Sequence, residues 1–498
     1  MSSRRQHFRS SVRALLSLEV LETRALMAGN VLASVSRGTL VIRGDIAANE
    51  IIISQLTTAG GYKITPVEGS GTTINSSATA VDLLNVVRFD IKMLGGDDKV
   101  GIGNDVEFVE ELFGALADYP AEDEEQGMAS LVVEEEIPGP EEDEFSILTF
   151  LGGGGGDGFD IENPEFTPQQ LAQLPTRVTG LTTIDLGDGN DSLVYIIRSA
   201  SNVIVEGGQG DDAVLSILTN IGNMTIHTDP RRGEGMGNDL AVVVLSKVRG
   251  DLAISTGAQD DGVVVLGTTV SNMGIGTGGV LSGAMTDNDV VFLANVSASD
   301  NLGVQTEGGD DAVYIDTIIG DTFQIEAGTG DDEVDVVGAA LLNLLIDSAA
   351  GDDWVSVSSG EDGLSPVVIR RNLGINTGIG NDTVELDGGL LGLFIGGNLD
   401  LRTGTGDDQV MLYHLAIGRA AIIDTDTGND AVLLDSLDVR NELNVNLGAG
   451  NDTLSVHNLG AGRHSLRGGT GNDTLHNLGD HDFDLKHSQF ETVDDGLI

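Results

Sequence analysis

The chain has 498 residues, 79 of them acidic and 25 basic, for a net charge of −54. That balance disfavours phosphate backbones, because nucleic-acid binders concentrate lysine and arginine; it suits metal cations, solubility in salt, or both. Without cysteine, disulfides, thiolate zinc sites and cysteine catalysis are excluded, and no stretch reaches the ~18 apolar residues that a membrane-spanning helix needs. Seventy glycines and few aromatics, with Val, Leu and Ile dominating, favour short strands between tight turns.

Residues 1–30 stand apart. Arg4, Arg5, Arg9 and Arg13 precede an apolar stretch that ends in small residues near Ala28, the pattern of an export signal; a plain amphipathic helix is the alternative. Leu18-Glu19, Leu21-Glu22, Arg24, Leu26 and Ala28 resemble the LEPR-XLL motif of exported bacterial proteins, with Thr23 where that motif has proline. The resemblance implies secretion or display at the cell surface.

Residues 31–105 read as strands and turns that cap one end of the fold. They include Gly38 to Gly44, Ile51 to Ile53, and Val87 to Ile91 leading into Gly95-Gly96-Asp97-Asp98. Gly103-Asn104-Asp105-Val106 echoes that last turn. Residues 106–176 carry acidic blocks, a glycine run at 152–156, and Pro164, Pro168 and Pro175. Like-charge blocks resist packing, so this reads as a disordered insertion, with a short helix expected within 107–117.

From 177 to 478 one unit recurs: glycine, any residue, glycine, Asp or Asn, Asp, any residue, aliphatic. Asp191, Asp212, Asp239, Asp261, Asp289, Asp311, Asp332, Asp353, Asp382, Asp408, Asp430, Asp452 and Asp473 hold the last acidic place, 21 to 29 residues apart. A unit of that size cannot bury its own apolar face and must stack on copies of itself. An aliphatic stands seven before the anchor in eleven of thirteen copies, Arg232 and Ser282 being the exceptions, and an apolar residue two after it in all; alternation with polar residues on both sides gives two main strands per coil. The fold class is therefore all-β: a parallel β-helix, or β-solenoid, of about 13 or more coils. Residues 479–498 are expected to cap its other end.

The residue before the anchor is Asp or Asn in nearly equal numbers, whereas the anchor is always Asp. A purely structural turn accepts either. Carboxylates stacked about 4.8 Å apart repel by about 1 kcal/mol per pair even in bulk water, and no Lys or Arg recurs to offset this. A divalent cation between turns would. Calcium accepts carboxylate and carbonyl oxygens in flexible geometry, which magnesium tolerates less well.

Gly207-Gly208-Gln209-Gly210-Asp211-Asp212-Ala213-Val214-Leu215 resembles the calcium-binding RTX (haemolysin-type) nonapeptide, as does Gly468 to His476. Here there is one nonapeptide per coil rather than tandem copies. The resemblance implies a single column of Ca2+ held by Asp98, Asp191, Asp211, Asp212, Asp239, Asp311, Asp331, Asp332, Asp382, Asp407, Asp408, Asp430, Asp452 and Asp473. Turns at Asp261, Asp289 and Asp353 lack parts of the glycine framework and stand outside that set. The expected function is a secreted or cell-surface structural or adhesive module, not an enzyme. Its expected partners are calcium ions and cell-surface polysaccharide or other surface proteins.

Two other readings stay open. One is a polysaccharide-active β-helix enzyme, which would need Arg and carboxylates gathered beside the longer coils at 222–238, 270–288 or 358–374. The other is an inert acidic spacer. His457, His464, His476, His481 and His487 share no repeat position and read as surface residues rather than zinc ligands. Trp354 is expected on the outer face.

Overall fold

The computed structural model describes residues 29–117, 173–199, 201–229, 237–278, 287–359, 366–478 and 489–494. The export-like segment and most of the acidic insertion lie outside the described residues. The chain divides into two compact units, one of residues 1–264 with 279–281 and one of 265–278 with 282–498. Each is a stack of parallel β-coils.

In the first unit, one ladder runs Thr39–Arg43, Arg88–Lys92, Thr182–Asp188, Val203–Gln209, Met224–His227, Asp251–Ser255. A second runs Glu50–Gln55, Lys99–Ile102, Ser192–Tyr195, Ala213–Ile217, Leu240–Val244. The rest of the coil carries a third, short strand, as in Thr176–Val178, Ile197–Ser199 and Asn220–Ile221. In-register pairing puts like side chains on top of one another. Ile42, Ile91, Ile184, Val205, Ile226 and Ile254 form one buried stack inside the coils. Each such aliphatic contributes roughly 1.5–3 kcal/mol on full burial, which offsets the ordering of a short strand.

The ladder edge is closed by antiparallel pairs: Asn30–Ser36 on Thr39–Arg43, and Glu50–Gln55 on Tyr62–Pro66. Covering the edge in this way removes a row of unpaired backbone groups. Tyr62 meets Phe89 edge-on behind it, with ring centroids 4.9 Å apart.

A helix, α1 (Val106–Ala117), follows the second strand of the Asp98 coil. Asp105 Oδ1 accepts the Phe108 N–H and caps its start. The sequence Gly103 to Val106 is thus a helix entry, not a further copy of the repeat. Phe108, Val109, Leu112, Phe113 and Leu116 are buried, at helical spacing. Glycine at 101 permits this packing, since a Cβ there would lie 2.4 Å from Val109 Cγ1. Thr176–Val178 joins the stack as a third strand.

In the second unit the first ladder runs from Asn272–Gly276 to Gly460–Arg467. The second runs from Val290–Ala298 to Thr492–Asp494. The terminal strand Thr492–Asp494 therefore adds one more parallel rung; residues 479–488 lie outside the described residues.

Candidate metal centre

The glycine corner of each coil interrupts the regular ladders and leaves backbone N–H groups needing acceptors. Corner glycines adopt the left-handed region: Gly351 and Gly406 have φ of 144° and 135°, and a Cβ on either would lie 1.7 Å from the carbonyl oxygen of the neighbouring coil's glycine. Only glycine allows coils to approach this closely.

Two side-chain ladders then zip the corner in opposite directions. In the inner one, each anchor N–H donates to Oδ1 of the next anchor. In the first unit Asp98 donates to Asp191 at 2.6 Å, Asp191 to Asp212 at 3.0 Å, Asp212 to Asp239 at 2.8 Å and Asp239 to Asp261 at 2.8 Å. In the second unit Asp289, Asp311, Asp332, Asp353, Asp382, Asp408, Asp430 and Asp452 each donate onward to the following anchor, ending at Asp473, over 2.8–3.0 Å. The outer ladder uses the residue before the anchor and runs the other way. Asp211 N–H donates to Asn190 Oδ1, and Asn451 N–H to Asn429 Oδ1. Asn and Asp share that acceptor, which explains their interchange at this place.

The anchors are therefore aligned within each unit, as the repeat requires. They point inward and are buried to within 3% of full enclosure. Asp261, Asp289 and Asp353 occupy the same ladder as the others. Asp211, Asp331 and Asp407 do not join them: they stand in the outer ladder, where Asp331 and Asp407 are exposed and Asp211 is half-buried.

Sequence reasoning missed both ends. Asn49 takes the anchor's place in the first coil and donates its N–H to Asp98 Oδ1 at 2.6 Å. Glu491 closes the second unit's ladder, its Oε2 accepting the Asp473 N–H at 2.7 Å. Strand register gives these positions; the repeat motif does not.

The second carboxylate oxygen is the feature that needs explaining. Oδ2 of Asp98, Asp191, Asp212, Asp239, Asp311, Asp332, Asp353, Asp382, Asp408, Asp430, Asp452 and Asp473 is buried with no hydrogen-bond donor. A row of buried Thr and Ser, five residues before the anchor in Thr377, Thr403 and Thr425, lies beside it and moderates the acidity shifts. Two of those hydroxyls are directed elsewhere: Thr377 donates to the Thr403 carbonyl and Thr425 to the Leu447 carbonyl.

Burial drives these acids upward, to about 7 for Asp98, about 8 for Asp191, about 9 for Asp332, about 7 for Asp353 and Asp430, and about 6 for Asp408 and Asp452. Asp212, Asp239 and Asp261 are raised well above the usual carboxylate range, by burial first and by neighbouring carboxylates second.

The donor set suits a hard cation. Beside Gly207, the place a Cβ would occupy lies 2.4 Å from both Asp212 Oδ2 and the Thr228 carbonyl oxygen. Carboxylate and backbone oxygen thus meet without an intervening side chain, as calcium's all-oxygen coordination requires. Among the described residues no three Asp, Glu, His or Cys side chains converge on one point. Any ion there would draw on carbonyls and water as well.

Elsewhere, His457 pairs with Asp435 at 3.0 Å and His476 approaches Asp494 at 3.6 Å; His481 and His487 lie outside the described residues. Trp354 is half-buried between Glu333 and Thr383 on neighbouring strands. A trough beside Asn272–Gly276 contains one carboxylate, Glu326, and no basic residue. No helix among the described residues is long and apolar enough to cross a membrane.

No family model and no curated protein matches the chain. Among solved structures, it is similar to the X-ray crystal structure of a hyperactive, Ca2+-dependent, beta-helical antifreeze protein from an Antarctic bacterium, at 19% identity over 64% of this chain and 89% of that one, with a TM-score of 0.36.

Proposed function

We propose that this chain is a non-catalytic β-solenoid whose inner aspartate column takes up calcium between successive turns, and that it serves outside the cell as a structural or adhesive module. The observation that carries this reading is the orphaned Oδ2. Asparagine would serve the Oδ1 hydrogen bond equally well, and the outer ladder uses it freely. The thirteen repeat anchors never do, although Oδ2 of Asp191, Asp212, Asp239, Asp311 and Asp332, among others, is buried without a donor. A buried, unpaired charge is costly, and a cation between turns removes the cost.

Within such a column the anchors Asp191, Asp212, Asp239, Asp311, Asp332, Asp382, Asp408, Asp430, Asp452 and Asp473 would hold the ions, with Asp98 at the start. Asp261, Asp289 and Asp353 belong to the same set by position. Oδ1 fixes each carboxylate in place and Oδ2 faces the ion. Calcium bound only by the folded chain adds its binding free energy to stability. Such a chain is loosely held where calcium is scarce and tightens where it is abundant, which fits export. Calorimetric titration of the full chain with calcium chloride tests the reading. Uptake of several ions per chain with a rise in melting temperature is expected; no heat and no shift in melting would refute it.

A further inference from the structure

The coil leading to Asp239 breaks the repeat at one telling place. Its strand Met224–His227 pairs in register with Val203–Gln209 and with Asp251–Ser255. Continuing that register puts Asp229 level with Gly208 on one side and Gly257 on the other. Both are glycines with positive φ, 138° and 112°. An acidic side chain thus stands where the adjoining coils have none.

Asp229 is 7% exposed. Its Oδ2 accepts the Ala258 N–H at 3.2 Å; its Oδ1 is buried with no partner. The side chain lines a trough of about 370 Å³ together with Gly187, Gly208, Asp188, Glu206 and Asp185. The trough's lysine, Lys92, is paired with Asp185. The Gly187 carbonyl oxygen presses on Gly208 so closely that a Cβ there would lie 1.4 Å from it. A nearly enclosed carboxylate oxygen and the acidic side chains of Asp188 and Glu206 border this one trough. That is the environment of a hard divalent cation that keeps part of its water.

We propose that Asp229 founds a separate calcium site, entered from this trough and additional to the turn column. Asp229 Oδ1 is the anchoring ligand, carbonyls and water complete the shell, and Asp188 and Glu206 attract the ion to the mouth. The inference shares its choice of metal with the functional reading but depends on different residues.

The test is calcium titration by calorimetry of the full chain at pH 7.5, using calcium chloride as the probe. Wild type is compared with Asp229→Gly, which restores the residue used by both flanking coils, and with the isosteric Asp229→Asn. Circular dichroism confirms that each variant keeps the wild-type β signal. Both variants are expected to bind one ion fewer. An unchanged number of ions and unchanged affinity would overturn the proposal and leave the turn column standing. A wild type that binds a single ion, lost in both variants, would support Asp229 and refute the column. A wild type that binds none would refute both.

Discussion

The turns at Asp191, Asp212 and Asp239 and those at Asp408, Asp430 and Asp452 share one hydrogen-bond pattern, but they hold protons differently. The first group sits at about 8 or well above the usual range; the second lies at about 6 to 7. The difference comes from what surrounds the corner. Beside the first group the outward row of the second strand is Val194, Leu215 and Val242, all buried. Beside the second it is Met411, Leu433 and Ser455, all half-exposed. Asp229 adds a further negative charge near Asp212, Asp239 and Asp261. The turn sequence sets the geometry, and the neighbouring strands set the cost of ionisation.

The strongest way to break the comparison is to remove metal and vary pH. A carboxyl whose folded pKa is raised retains a proton that the unfolded chain has already released. Its stabilising contribution is complete below the unfolded value near 4 and is lost as pH rises through the folded value. Metal-free chain should therefore melt at progressively lower temperature from pH 5 to pH 8, by tens of degrees if several anchors ionise at about 1.4 kcal/mol per unit each. Calcium should abolish that fall. A melting temperature in chelator that rises with pH would count against the buried column.

A pair of substitutions sharpens the same contrast. In chelator at pH 7.5, Asp212→Asn and Asp452→Asn each remove an ionisable group while keeping the Oδ1 acceptor. Both should stabilise, and Asp212→Asn more, because deeper burial and neighbouring carboxylates raise Asp212 further. In calcium the sign should reverse at both. Equal gains from the two variants in denaturant melts would show that surroundings do not set proton affinity.

Asp332→Ala separates hydrogen bonding from charge. It strands the buried N–H of Asp311, which now donates to Asp332 Oδ1 at 2.9 Å. An unsatisfied buried donor costs about 1–3 kcal/mol, whereas Asp332→Asn should spare that loss. Chelated melts of the two variants at pH 5 give the comparison directly, because protonation removes the charge contribution there.

The β-solenoid was readable because an aliphatic stands seven before eleven of the thirteen anchors and an apolar residue two after all of them, across coils of unequal length. Alignment of the anchors follows from that register. Other features left no motif. Asn49 starts the first unit's ladder and Glu491 ends the second unit's without being aspartates, so a search for Asp passes over them. The buried Thr and Ser row looks like ordinary strand composition. Asp229 is hidden because its coil is longer, so counting back from Asp239 reaches Arg232 where register reaches Ile226. Grouping Asp211, Asp331 and Asp407 with the anchors followed sequence adjacency. Neighbouring residues on extended backbone face opposite sides, and these acids stand in the outer ladder.

The smallest effect should come from that outer ladder. Asn429 accepts the Asn451 N–H at 3.0 Å, and its own amide donates to Asp407 Oδ1 at 2.9 Å. Both contacts are exposed, so water replaces them when they are lost. Asn429→Ala should therefore cost only about 0.5–1 kcal/mol, a shift of a few degrees at most, and should leave the number of calcium ions bound unchanged. The substitution isolates the role of the outer ladder, because it leaves the inner carboxylates and the corner glycines intact. If it reduced calcium uptake as much as Asp452→Asn does, the two ladders would have to be one ligand set, and the division between an outer zipper and an inner charge column would be lost.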